Sequence, residues 1–245
     1  MKLLLNIWRQ PSASAPGRFV RYTVTGIPPS HSLLEALDVL NQNLLAAGET
    51  PVAFESDCRE GICGACGVVV GGRAHGGRAL TTSCELRVSA FADGAELTIE
   101  PFRAKAFPVL RDLVVDRSAL DRVIGAGGYV SVRTGSAPEA NVTPIAKPIV
   151  EQALDAAACI GCGACVAACP NASAALFVGA KITHLALLPQ GRVERKSRAA
   201  ALVAAADREG FGACTAHGEC QAACPKGIEL GVITRMNREL LHAAE

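Results

Sequence analysis

Apolar and polar positions divide the first hundred residues into short, readable segments. Residues 2–9 and 18–25 are rich in aliphatic, β-branched and aromatic side chains, with a Pro/Ser/Gly stretch between them. That pattern predicts a β-hairpin. Leu33, Leu37, Leu40 and Leu44 then recur at helical spacing, and Gly48 stops the run. Ser32 and Glu35 stand at its start as a capping box, in which each side chain satisfies the other's backbone N–H. Val52–Phe54 predicts a short strand, and Val68–Val70 and Glu96–Glu100 predict the strands that close the sheet. Between them Gly71–Arg78 reads as a flexible surface insertion with a solvated His75. It lacks the Gly-Lys-Ser/Thr ending and the strand-to-helix setting of a phosphate loop.

Pro101–Pro108 joins this half to a second one with a different rhythm. Leu110, Leu113, Val114, Leu120, Val123 and Ile124 predict a helix over Val109–Ile124, ended by Gly125–Gly128. Residues 134–148, with Pro138, Pro144 and Pro148, predict a loop or partner-contact segment. Glu151–Ala158, the Ala-rich Arg198–Arg208 and the terminal Gly231–His242 predict further helices, with Gly210 and Gly212 breaking the chain between the last two. The expected division is 1–105 and 106–245.

Composition narrows the function. A net charge of +1 over 245 residues gives none of the basic footprint of a nucleic-acid binder. No apolar run reaches 18 residues, so no spanning helix is predicted. Met1–Trp8 is too short, and too soon interrupted by Asn6 and Arg9, for a secretion signal. A cytoplasmic protein is therefore expected. In that compartment eleven cysteines read as metal ligands more readily than as disulfides.

Their spacing is specific. Cys159-Ile-Gly-Cys162-Gly-Ala-Cys165-Val-Ala-Ala-Cys169-Pro170 has the C-x2-C-x2-C-x3-C-P order of bacterial two-cluster ferredoxins. In that order three cysteines hold one cluster and the fourth serves the other. A second run lies about 55 residues on: Cys214-Thr-Ala-His217-Gly-Glu-Cys220-Gln-Ala-Ala-Cys224-Pro225, with histidine at one of the four places. Pro170 and Pro225 turn the chain after each crossing cysteine. Exchanging the last cysteines assigns Cys159, Cys162, Cys165 and Cys224 to a [4Fe–4S] cluster, and Cys169, Cys214 and Cys220 to a [3Fe–4S] cluster. His217 either completes a four-iron site or packs over the open corner without binding. Zinc and disulfides are the competing readings, but zinc sites use separated cysteine pairs.

Upstream, Cys58-Arg-Glu-Gly-Ile-Cys63-Gly-Ala-Cys66, with Cys84 later, has the plant-type [2Fe–2S] spacing. Its glycines allow a tight loop whose amides approach the sulfurs. The count closes with no cysteine left over. The fold class expected is α+β: an N-terminal β-grasp plant-type ferredoxin domain, then an all-α two-cluster ferredoxin-like domain. No nucleophile–base arrangement or dinucleotide loop accompanies the cysteines. His31, His184 and His242 are isolated and read as ordinary surface or packing residues. Three one-electron centres in one chain make a wire, which needs a source and a sink.

The order of sites resembles the iron–sulfur subunit of succinate dehydrogenases and fumarate reductases. The match rests on Cys58-Arg-Glu-Gly-Ile-Cys63-Gly, Cys159-Ile-Gly-Cys162-Gly-Ala-Cys165 and Cys224-Pro-Lys-Gly-Ile228, and spans nearly the whole chain. The resemblance implies an FAD-containing flavoprotein partner that interconverts succinate and fumarate. It also implies a quinone-binding membrane anchor that holds this chain to the cytoplasmic side of the cell membrane. It places Pro170, Thr215 and His217 near the three-iron cluster on the quinone side. Many ubiquinone-using members carry tryptophan where Ala174 stands and histidine where Thr215 stands. In this the chain looks like members with menaquinone and haem-containing anchors. The alternatives are a cluster subunit of another flavin-linked dehydrogenase, a free ferredoxin, and a structural iron–sulfur protein on nucleic acid, which the near-neutral charge disfavours.

Overall fold

The structure is a computed structural model and describes residues 1–133, 135–136, 139 and 142–244. Strands β1 (Leu3–Arg9) and β2 (Arg18–Val24) form the expected hairpin, with Leu3 opposite Val24 and Arg9 opposite Arg18. Leu3, Leu5 and Ile7 alternate into the core, as a half-buried strand requires. Helix α1 (Leu33–Ala46) starts with the complete capping box: Ser32 Oγ accepts from the Glu35 N–H, and the Glu35 carboxylate accepts from the Ser32 N–H. Strands β3 (Val68–Val70), β4 (Arg73–Ala74) and β5 (Glu96–Pro101) complete a five-stranded sheet in the order β2-β1-β5-β3-β4. The interior pair β1–β5 is parallel; the other pairs are antiparallel. Leu33, Leu34, Leu37, Leu40 and Leu44 of α1 pack with Leu3, Leu5, Ile7, Leu97 and Ile99 of the sheet.

Three expectations in this region are corrected. Val52–Phe54 forms no strand, because a side chain takes the place of a strand neighbour. Asn41 Nδ2 donates to the Val52 carbonyl at 2.9 Å, and Asn41 Oδ1 accepts the Val52 N–H at 2.7 Å. The Gly71–Arg78 segment is no flexible insertion: β4 pairs with β3, and His75 is 1% exposed rather than solvated. Val109–Ile124 is not one helix. Strands β6 (Val109–Arg111) and β7 (Val114–Val115) make a hairpin, and helix α2 (Ser118–Gly125) follows. The buried Asp112 carboxylate at the hairpin turn accepts the N–H groups of Gln10 and Ala53 and pairs with Arg9. Tertiary bonds there override a helical apolar pattern.

From Ser118 on, every described element is helical: α3 (Lys147–Ala157), α4 (Ala164–Ala168), α5 (Ala175–Leu187), α6 (Arg195–Arg208), α7 (Glu219–Ala222) and α8 (Gly231–Ala244), with one 3-10 turn at Pro189–Gly191. The loop expected over 134–148 lies partly outside the described residues. Its end is already helix, since Lys147 and Pro148 form the first turn of α3, where proline is tolerated. Helix α5 carries no apolar stripe in sequence because nine of its thirteen residues are buried. It packs on α8 through Gly179, where a Cβ would lie 2.8 Å from the Val232 carbonyl oxygen. Buried charges are paired. Arg198 donates to the carbonyls of Gly127, Tyr129 and Gly191 and to Glu194. Glu239 pairs with Arg195 and Arg235.

Ser32→Ala should lower stability by about 1 kcal/mol, the usual cost of a lost N-cap. A lower denaturant midpoint with an unchanged slope would show it. An unchanged midpoint would mean that the cap contributes nothing.

Candidate metal centres

The first centre is built on the loop between α1 and β3. Cys58 and Cys63 are at or near the surface, whereas Cys66 and Cys84 are buried. Backbone amides converge on these sulfurs. Glu60, Ile62 and Cys63 donate to Cys58 Sγ, Gly61 to Cys84 Sγ and Ala65 to Cys63 Sγ, at 3.3 to 3.4 Å. Left-handed backbone at Arg59, Gly61 and Gly64 turns the amides inward. At Gly61 the left-handed φ of 67° favours glycine, and a Cβ would also displace the Glu85 carboxylate. Arg59 holds its strained φ of 57° with two bonds to Asp38 and one to Ser56.

These environments split the thiols. The N–H groups of Glu60, Cys63 and Ile62 lower the Cys58 thiol to about 7. Burial, reinforced by Cys84, pushes Cys66 up to about 12.

The second centre has one buried cysteine, Cys162, and three half-buried ones, Cys159, Cys165 and Cys224. Cys159, Cys162, Cys165 and Cys224 line one cavity, together with Phe177 and Ile228. Burial pushes Cys162 up to about 12, and Cys165 well above its ordinary value. Buried thiols this reluctant to ionise are bound as thiolates only when a cation compensates them. The Ile228 N–H donates to Cys224 Sγ at 3.4 Å, and Gly161 and Gly163 adopt left-handed φ in the loop.

The third centre is a cavity of about 570 Å³ lined by Cys169, Cys214 and Cys220, with Ala174, Thr215 and His217 on its walls. Burial, then the neighbouring sulfurs of Cys169 and Cys214, raises the Cys220 thiol. Asn171 fixes the wall by donating to the Ala213 carbonyl and to Thr215 Oγ1. His217, Thr215 and Pro170 are exposed, while Ala174 is buried.

The last cysteine of each run thus stands with the other run's cavity. Among the described residues, no three His, Cys, Asp or Glu side chains close round a single ion. Sulfurs spread around a cavity fit a polynuclear cluster, whose thiolate ligands are shared out over several irons, better than a tetrahedral zinc ion.

Sequence reasoning missed two side chains at these centres. His75 Nδ1 accepts the Ser83 N–H, one residue before Cys84, and its ring stands edge-on to Phe102 with centroids 5.4 Å apart. Burial, then the Arg117 charge, pushes its pKa down to about 4. Arg117 donates to the Gly64 carbonyl at 2.6 Å and to the Cys162 carbonyl at 3.2 Å. Neither residue carries a spacing signal, since both are defined by contacts across the fold. Of the remaining histidines, His31 keeps a buried Nδ1 without a partner, and His184 is half-buried on α5.

The family comparisons agree with this geometry. Residues 4–122 match the 2Fe-2S iron-sulfur cluster binding domain, and residues 152–225 match the 4Fe-4S dicluster domain. The class is therefore an iron–sulfur electron-transfer protein with a two-iron domain followed by a dicluster domain. The chain is 31% identical over 221 residues to the succinate dehydrogenase iron-sulfur subunit of Bacillus subtilis, covering 86% of this chain and 82% of that one. It is also 31% identical over 241 residues to the fumarate reductase iron-sulfur subunit of Mycobacterium tuberculosis, covering 93% and 87%. It belongs to the iron–sulfur subunits of succinate dehydrogenases and fumarate reductases. Its fold is like a chain of the Mycobacterium smegmatis Sdh1 complex in the apo form, with TM-score 0.68 and 22% identity over 98% of this chain and 96% of that one. Among the described residues, no helix is long and apolar enough to cross a membrane.

Because the unfolded chain protonates His75 near 6.5 and the folded chain only near 4, stability is present above 6.5 and falls as pH drops toward 4. That contribution amounts to about 2 kcal/mol between pH 7 and 5. His75→Asn, which keeps an acceptor for Ser83, should flatten the pH dependence of the denaturation midpoint over that window. Parallel profiles for the two proteins would contradict a buried neutral imidazole.

Proposed function

We propose that Cys58, Cys63, Cys66 and Cys84 hold a [2Fe–2S] cluster, and Cys159, Cys162, Cys165 and Cys224 a [4Fe–4S] cluster. Cys169, Cys214 and Cys220 hold a [3Fe–4S] cluster, and His217 is not a ligand. When bound, these groups supply three one-electron carriers. The chain relays electrons between the FAD of a flavoprotein partner, which interconverts succinate and fumarate, and a quinone at a haem-containing membrane anchor. It sits peripherally on the cytoplasmic side of the membrane. The single observation that carries this reading is the crossing of Cys169 and Cys224 between the two cavities.

The surface supports the direction of docking. Exposed Ile62, inside the two-iron loop, gives an apolar approach for the flavoprotein. The third cavity opens beside exposed Thr215 and His217, which suits the anchor. We divide the chain at 105/106, although the cores interlock across that line. Leu113 packs into the first core, and Ala74 and Phe102 into the second.

Succinate added to the complex purified with its flavoprotein and anchor should reduce at least one of the centres that dithionite reduces, and a quinone analogue should reoxidise it. Reduction by dithionite but never by succinate would refute the assignment. His217→Cys supplies the absent fourth thiolate. It should abolish the oxidised-state three-iron EPR signal and add a reduced four-iron one. A persisting three-iron signal would show that this side chain lies outside the open corner.

A further inference from the structure

The two-iron loop and the first cysteine run meet backbone to backbone. A Cβ on Gly64 would lie 2.7 Å from the Ile160 carbonyl oxygen and 3.0 Å from Cys162 Cα. Gly64 lies between Cys63 and Cys66, and Cys162 is itself one of the sulfurs of the second cavity. Arg117 stands at this seam. The Arg117 side chain, 20% exposed, spends one nitrogen on the carbonyls of Gly64 and Cys162 and the other on the Glu55 carboxylate at 3.2 Å. Two carbonyl bonds alone need no permanent charge. A guanidinium, however, keeps its proton throughout the accessible pH range. Its outer edge is balanced by Glu55, 42% exposed, while its inner nitrogen bonds to one loop of each centre.

We propose that Arg117 is a potential-setting positioning residue shared by the two-iron and four-iron centres. Its fixed charge at the seam raises both reduction potentials together while its fork holds the two loops in register. The proposal rests on the cluster assignment made above. Reducing either centre adds one electron and one negative charge, and no proton is required. A nearby cation therefore favours the reduced form of each. Because the charge is shared, its removal shifts the two potentials in the same direction and changes their difference little. Glu55 opposes it: neutralising that carboxylate unmasks the cation and moves both potentials the other way.

The test is an EPR-monitored redox titration of the whole complex, with dithionite as reductant and ferricyanide as oxidant, on Arg117→Lys, Arg117→Met and Glu55→Gln. Arg117→Met should shift the reduction equilibria of both centres severalfold toward the oxidised form, where tenfold is 59 mV for a one-electron couple. Arg117→Lys loses the fork but keeps the charge, and should stay close to the parent. Glu55→Gln should shift both toward the reduced form, which decides the matter even if the Met variant fails to load iron. Potentials unmoved in Glu55→Gln, or a Lys variant displaced as far as Met, would reduce Arg117 to a structural staple and overturn the proposal. Absence of two-iron and four-iron signals in the parent would instead refute the cluster assignment.

Discussion

Each cysteine run sends its last sulfur to the other run's cavity, and the helical half is built round that exchange. Cys224 stands with Cys159, Cys162 and Cys165, while Cys169 stands with Cys214 and Cys220. A chain arranged in this way cannot complete one centre without placing the other run beside it. Helices α4 and α7, which follow the two loops, are short and lie against each other. Longer helices supply the frame: α5 runs through the middle, packed by α3, α6 and α8, with Gly179 letting α8 approach at backbone distance.

Burial and backbone amides divide the labour at the sulfurs. Where the loop is exposed, N–H groups stabilise a thiolate directly, as three of them do at Cys58. Where the sulfur is buried, as at Cys66 and Cys162, burial disfavours a bare thiolate, and a bound cation would supply the compensation. The seam at Gly64 and Cys162 joins the two loops, and Arg117 is the one side chain there that bonds to both of them among the described residues.

Much of this was legible from residue order, because metal ligation imposes spacings that few other demands do. The Ser32 cap and the β1–β2 hairpin rest on local rules, and the cysteine spacings that define the two matched domains are visible in residue order. The failures share a cause. Val52 found an Asn41 side chain in place of a strand, and Asp112 drew its neighbours into a turn where the apolar pattern favoured helix. His75 looked like a solvated loop residue because its partners, Ser83 and Phe102, are specified by the fold. Helix α5 was invisible to periodicity because it is wrapped on nearly all sides. Long-range contacts decided each of these, and no local window of sequence contains them.

The exchange of sulfurs is tested most directly by removing each crossing cysteine and recording low-temperature EPR spectra in oxidised and reduced states. Cys224→Ala should cost the reduced four-iron signal while the oxidised three-iron signal survives, and Cys169→Ala should do the reverse. If each substitution instead silenced the centre of its own run, the crossed assignment would be wrong, and the relay built on it would have to be redrawn.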